Sequence, residues 1–121
     1  MRIVHLLTII MASQKTIRDG KVAVIISPGF GTGWSTENRG NDWFIYGDPT
    51  FVRLVEENTD VKTLTSYVNT LLNPTGDKYI CFLGIDNLEI EWVPVGTVFR
   101  ILEYDGSEYV DVFDVSKWNT A

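Results

Sequence analysis

The feature that most constrains this chain is the strict alternation near its C-terminus. Leu88-Glu89-Ile90-Glu91-Trp92-Val93 sets Leu88, Ile90 and Trp92 on one side and both glutamates on the other, the period-two pattern of a half-buried strand. Val93-Pro94-Val95-Gly96 then reads as a turn with Pro at its second position. Residues 97–104 form the next strand. Asp105-Gly106 follows, the strongest hairpin signal in the chain, because a two-residue loop of this kind needs positive φ at both positions. Residues 107–113 return, with Val110 and Val112 on one face and Tyr109 and Phe113 on the other. Residues 78–83 (KYICFL) are nearly all apolar and predict a central strand just upstream. Four consecutive antiparallel strands are therefore expected between residues 78 and 113.

The first half reads differently. Residues 21–27 (KVAVIIS) are a β-branched run bounded by Asp19-Gly20 and Pro28-Gly29, which predicts one more buried strand. Residues 28–47 hold five glycines and read as a long loop, interrupted by a short strand at Trp43-Phe44-Ile45-Tyr46. Loops of this length in a compact domain are uncommon and are usually functional or disordered. Asp48-Pro49 has the chemistry of an N-cap followed by the first helical residue. Phe51, Leu54 and Val55 share one face of the helix it opens. A second helix begins at Thr59-Asp60, with the stripe Val61, Leu64, Val68, Leu71 and Leu72, and ends at Asn73-Pro74-Thr75-Gly76. The expected fold is α+β: an antiparallel β-meander of four to five strands packed with one or two short helices.

No repeat or linker divides the 121 residues, so they read as a single domain, 1–121. Residues 1–20 are an N-terminal extension or an edge strand of it. The apolar run MRIVHLLTIIMA superficially resembles a secretory segment, but it has one basic residue ahead of it and a poor cleavage site; Met11 offers an alternative start. The lone Cys81 excludes an intramolecular disulfide, and with His5 as the lone histidine no Cys/His zinc site can be built. Cys81 sits in an apolar run and reads as a core thiol. No apolar stretch approaches the roughly 18 residues of a membrane span.

Charge is divided along the chain. Residues 1–40 carry +3 and residues 41–121 carry −9, for a net −6. Direct nucleic-acid binding is not expected, because phosphate contacts need clustered Lys and Arg. An anionic small ligand needs local positive groups.

One segment stands out as a site. Ser27-Pro28-Gly29-Phe30-Gly31-Thr32-Gly33-Trp34-Ser35-Thr36 places alternate glycines directly after a strand, where free backbone N–H groups can form an anion-binding nest. Its spacing fits neither a dinucleotide fingerprint nor a P-loop, and Trp-Ser-Thr-Glu-Asn-Arg-Gly is a poor helix start. Phe30, Gly31, Gly33, Trp34, Ser35 and Thr36 are the ligand-binding candidates, with Trp34 as a stacking platform and the hydroxyls as hydrogen-bonding groups. The alternative is a crossover loop with Phe30 and Trp34 packed on the sheet. Arg100 stands among apolar neighbours on the hairpin. It is either an anion clamp or the outward partner of Glu89 or Glu91. No spacing among the carboxylates marks a catalytic or metal pair, so no catalytic residue, cofactor or metal is expected.

Residues 24–36 (VIISPGFGTGWST) and 88–108 (LEIEWVPVGTVFRILEYDGSE) together resemble a family of small proteins encoded in phage and prophage genomes. In that family a strand, an SPGFGxGWST loop, a helical middle and an EWVPxGTxFRIxEYDGSE meander occur in the same order. The similarity covers roughly residues 21–121 and carries no set of functional residues. It implies a viral protein acting in the host cytoplasm, of a kind that often counters host defence. If the two motifs adjoin, Trp34, Arg100 and Tyr104 would share one pocket. The leading expectation is a non-enzymatic accessory protein that sequesters a small nucleotide-like ligand. The alternative is an acidic interaction protein that blocks a host defence protein, with nucleic-acid mimicry as one means. A hydrolase of a signalling nucleotide is a third reading, disfavoured by the scarcity of His and metal ligands. A homo-oligomer is compatible with each.

Overall fold

The computed structural model of the chain describes residues 15–39 and 43–121. His5 and the expectations about the N-terminal run lie outside the described residues. In chain order the elements are β1 (Ile17–Arg18), β2 (Lys21–Ile26), α1 (Trp34–Glu37), a 3-10 turn (Trp43–Tyr46), α2 (Pro49–Glu56), α3 (Val61–Leu72), β3 (Glu89–Pro94), β4 (Phe99–Tyr104), β5 (Ser107–Val112) and a closing 3-10 turn (Val115–Lys117). The five strands among the described residues pair antiparallel, in a sheet of order β1-β2-β3 and a hairpin β4-β5. The fold class is α+β, as the alternation and the helical stripes predict.

The register sorts the core into two layers. Ala23 and Ile25 of β2 face the helices, where they join Phe51, Val52, Leu64, Val68 and Leu72 in the larger cluster. Ile90 and Trp92 pack on the same cluster, while Glu89 and Glu91 stay exposed, as the alternation requires. Val24, Ile26 and Val93 point to the opposite side and meet Phe99, Ile101 and Val110 of the hairpin. The sheet is thus sandwiched between helices and hairpin.

Local chemistry accounts for the ends of the elements. The Asp48 carboxylate accepts the Phe51 N–H at 3.0 Å with Pro49 at the first helical position, and Asp60 caps α3 through the Thr63 N–H at 3.1 Å. Asp105 (φ 50) and Gly106 (φ 82) both take the left-handed conformation that joins Tyr104 to Ser107. The turn after β3 lies one residue later than the sequence suggests. The Thr97 N–H donates to the Pro94 carbonyl at 3.1 Å, so Pro94 is the first residue and Gly96 (φ 85) the third, where positive φ is needed.

Three expectations are corrected. Residues 43–46 form a 3-10 turn and not a strand. Trp34–Glu37 forms one helical turn despite its poor helix-start sequence. Among the described residues, 78–83 pair with no strand, and asparagine side chains take up the backbone of two of them. The Asn38 amide accepts the Cys81 N–H at 3.1 Å and donates to the Cys81 carbonyl at 2.9 Å; Asn73 does the same for Lys78 at 2.8 and 2.9 Å. Each asparagine stands in for one residue of a neighbouring strand. Cys81 itself is buried and reduced.

Candidate functional site

The two sequence motifs meet, and Glu108 joins them. Its carboxylate is 2% exposed and lies at the start of α1. Oε1 accepts the Ser27 N–H (2.9 Å), the Ser27 hydroxyl (3.1 Å) and the Ser35 N–H (3.1 Å), while Oε2 accepts the Thr36 N–H at 2.6 Å. The Ser27 hydroxyl oxygen accepts the Trp34 N–H at 2.8 Å. Three successive amides of a single helical turn are therefore satisfied from outside it, which is how so poor a helix start folds. The amides that gather round an anion here belong to Ser27, Ser35 and Thr36, at the two ends of the glycine-rich loop, and the anion is the protein's own carboxylate.

Further contacts fasten the hairpin tip to the loop. The Gly31 N–H donates to the Asp105 carbonyl at 2.6 Å, the Glu108 N–H to the Ser27 carbonyl at 3.0 Å, and the Thr32 hydroxyl to the Gly106 carbonyl at 3.1 Å. A Cβ on Gly106 would lie 2.6 Å from the Thr32 nitrogen and 2.7 Å from the Gly31 Cα, so the two backbones touch where only glycine fits.

The candidate residues are distributed unevenly about this joint. Trp34 is fully buried, with its ring 6.0 Å from Phe51 and 6.4 Å from Phe82, so it offers no face to a ligand. The crossover-loop alternative describes Trp34 correctly. Phe30 and Tyr104 are 73% and 74% exposed. Gly31 (φ 74) and Gly33 (φ 78) serve the path of the loop. Arg100 projects outward, as the alternative reading has it, but its partner is Asp111, directly opposite on β5 (Nε to Oδ2, 2.9 Å), and not Glu89 or Glu91, which pair with β2 in the other sheet.

Three of the candidates, Ser35, Thr36 and Arg100, line one groove of about 440 Å³. Ala23, Val24, Phe99, Ile101 and Leu102 supply apolar surface, and Arg39 and Tyr46 complete the wall. The volume lies at the small end of the range of ligand sites, about 300–1,000 Å³. Arg39 makes no ion pair among the described residues. The Tyr46 hydroxyl donates to the Ser35 carbonyl at 2.7 Å, and burial, reinforced by the Glu108 charge, pushes its pKa up to about 12. The phenol therefore stays protonated. The described lining holds no carboxylate, imidazole or thiol. Arg39 and Tyr46 escape a reading by motif because they flank the glycine loop rather than belong to it.

A second depression, of about 520 Å³, lies over the outer side of the joint and is lined by Gly31, Thr32, Leu83 and the acidic Glu37, Glu103 and Asp105, with Arg39 between the two. Among the described residues no group of three His, Cys, Asp or Glu could hold a metal, and no helix is long and apolar enough to cross a membrane.

No family model matches the chain, and no curated protein or solved structure matches it either.

Proposed function

We propose that this chain is a non-enzymatic binding protein that holds a small, anionic, nucleotide-like ligand in the groove between α1 and β4. The observation that carries this reading is the pair Arg39 and Arg100 on the wall of a groove otherwise made of apolar side chains and hydroxyls. In a chain of net charge −6, two guanidiniums on one concave surface are a local reversal of sign. Guanidinium takes oxyanions through paired N–H groups, while Phe99, Leu102 and Tyr46 suit the flat, less polar part of a nucleotide. Of the glycine-rich segment, Ser35 and Thr36 reach the groove wall, and the glycines support the site from behind. The resemblance to phage-encoded proteins suggests the setting, sequestration of a signalling nucleotide in the host cytoplasm.

The test is a melting-temperature screen with nucleoside monophosphates and cyclic nucleotides, followed by titration of any that stabilise. Arg39→Ala and Arg100→Ala should each weaken binding roughly tenfold or more, the worth of a hydrogen bond to a charged group. No shift with any anion of the panel overturns the reading. The alternative, an acidic protein that docks on a basic host protein, draws on the exposed Phe30, Leu83 and Tyr104 near Glu37, Glu103 and Asp105. Phe30→Ser and Glu103→Lys would impair that function and leave ligand binding intact.

A further inference from the structure

We infer that Asp111 sets the affinity and salt sensitivity of the groove by competing with the ligand for Arg100; this rests on the binding reading proposed above. Arg100 and Asp111 are directly opposed on β4 and β5, on the outward face of the hairpin. The contact uses the Nε of Arg100 alone, at 2.9 Å from Oδ2, and the terminal nitrogens carry no hydrogen bond among the described residues. The Arg100 side chain is 66% exposed and that of Asp111 34%. Arg100 also lies on a ridge, since it lines both the 440 Å³ groove and a second one of about 610 Å³ to which Asp111 belongs. Asp111 does not line the first groove. The carboxylate therefore pulls the guanidinium from the side opposite the ligand, and its charge opposes any anion that approaches Arg100.

An exposed ion pair of this kind contributes little to folding, so Asp111 can be neutralised without loss of the hairpin. A ligand anion must share or displace it. Asp111→Asn keeps the size and a hydrogen-bond acceptor for Nε while removing the competing charge. The effect is electrostatic and close to solvent, so salt should diminish it.

The experiment is calorimetric titration of the full chain with adenosine 5′-monophosphate, and with inorganic phosphate to separate the shared oxyanion chemistry from the nucleoside. Wild type, Asp111→Asn, Arg100→Ala and the double variant are compared at low and at high salt. The expected result is a roughly two- to fivefold gain in affinity for Asp111→Asn at low salt, the worth of an exposed pair. The gain should shrink at high salt, and Arg100→Ala should bind weakly with or without the Asp111 change. Unchanged or weaker binding by Asp111→Asn, with Arg100→Ala still impaired, overturns the inference and leaves the groove reading standing. A gain that persists without Arg100 also overturns it. No binding of either probe by wild type and Asp111→Asn overturns the inference, and a melting-temperature panel that is also blank overturns the groove reading with it.

Discussion

The Glu108 side chain reaches across to Ser27, 81 positions earlier in the chain, and takes both its N–H and its hydroxyl on one carboxylate oxygen. The same two residues are also joined in the opposite sense, Glu108 N–H to Ser27 carbonyl. The two ends of the glycine loop are tied together there. The last residue before the loop, the first turn after it and the return strand of the hairpin share one buried charge. The groove inherits its rigidity from this joint, because Ser35 and Thr36 are both held by Glu108 and both line the groove.

Glu108→Ala should be among the most damaging single changes in the molecule. It leaves three buried or half-buried amides without an acceptor, at a cost of about 1–3 kcal/mol each. In a domain of this size that lowers Tm by roughly 10 °C or more. Glu108→Gln keeps the shape but faces one of the amides with an NH2 group, so it should fall between wild type and Glu108→Ala. Differential scanning calorimetry of the two variants decides it. Wild-type Tm in both would mean that water replaces the carboxylate without loss.

Legibility followed the range of the interaction. The hairpin turn at Asp105-Gly106, the Asp48 and Asp60 caps and the in-out pattern of β3 are set by residues within a few positions of one another, and each was readable. Residues 78–83 have the composition of a central strand, and nothing in that run announces that Asn38 and Asn73 will occupy its hydrogen bonds. Asn38 is 43 positions from Cys81. The glycines point to the loop but not to the amides of Ser27, Ser35 and Thr36 that bind a carboxylate, nor to its source: Glu108 follows the hairpin turn and looks like any polar strand residue. Trp34 illustrates the same gap. Aromatic character beside hydroxyls fits a ligand platform or a core anchor equally, and burial alone separates them.

Two phenols should titrate late. Tyr46 and Tyr67 are both pushed up to about 12, chiefly by burial; the charge of Glu108 adds to the first, and a hydrogen bond to Asp48 adds to the second. The folded chain thus holds these protons more tightly than the unfolded chain, whose phenols ionise near 10. Their contribution to stability is complete below pH ~10 and is lost as pH rises toward about 12. Absorbance at 295 nm should resolve a late step before alkaline unfolding. Tyr46→Phe and Tyr67→Phe should each remove one phenol from that step. A single early wave in all three proteins would show that neither hydroxyl is shielded.

Trp34 should behave as a core residue and not as a binding residue. Its ring is fully buried against Phe51 and Phe82, so Trp34→Ala should cost about 3–5 kcal/mol and abolish ligand binding only by unfolding the domain. Trp34→Phe separates the two roles. It removes part of the ring volume, but it also removes the indole N–H, which is buried and has no hydrogen-bond partner among the described residues. Loss of an unpaired donor is favourable, so the penalty should be well below that of Trp34→Ala, about 1–2 kcal/mol. Urea unfolding gives both values, and titration with any nucleotide that stabilises wild type gives the affinity. Binding by Trp34→Phe should match wild type wherever the domain is folded. Weak binding by a fully folded Trp34→Phe variant would return the ring to the site.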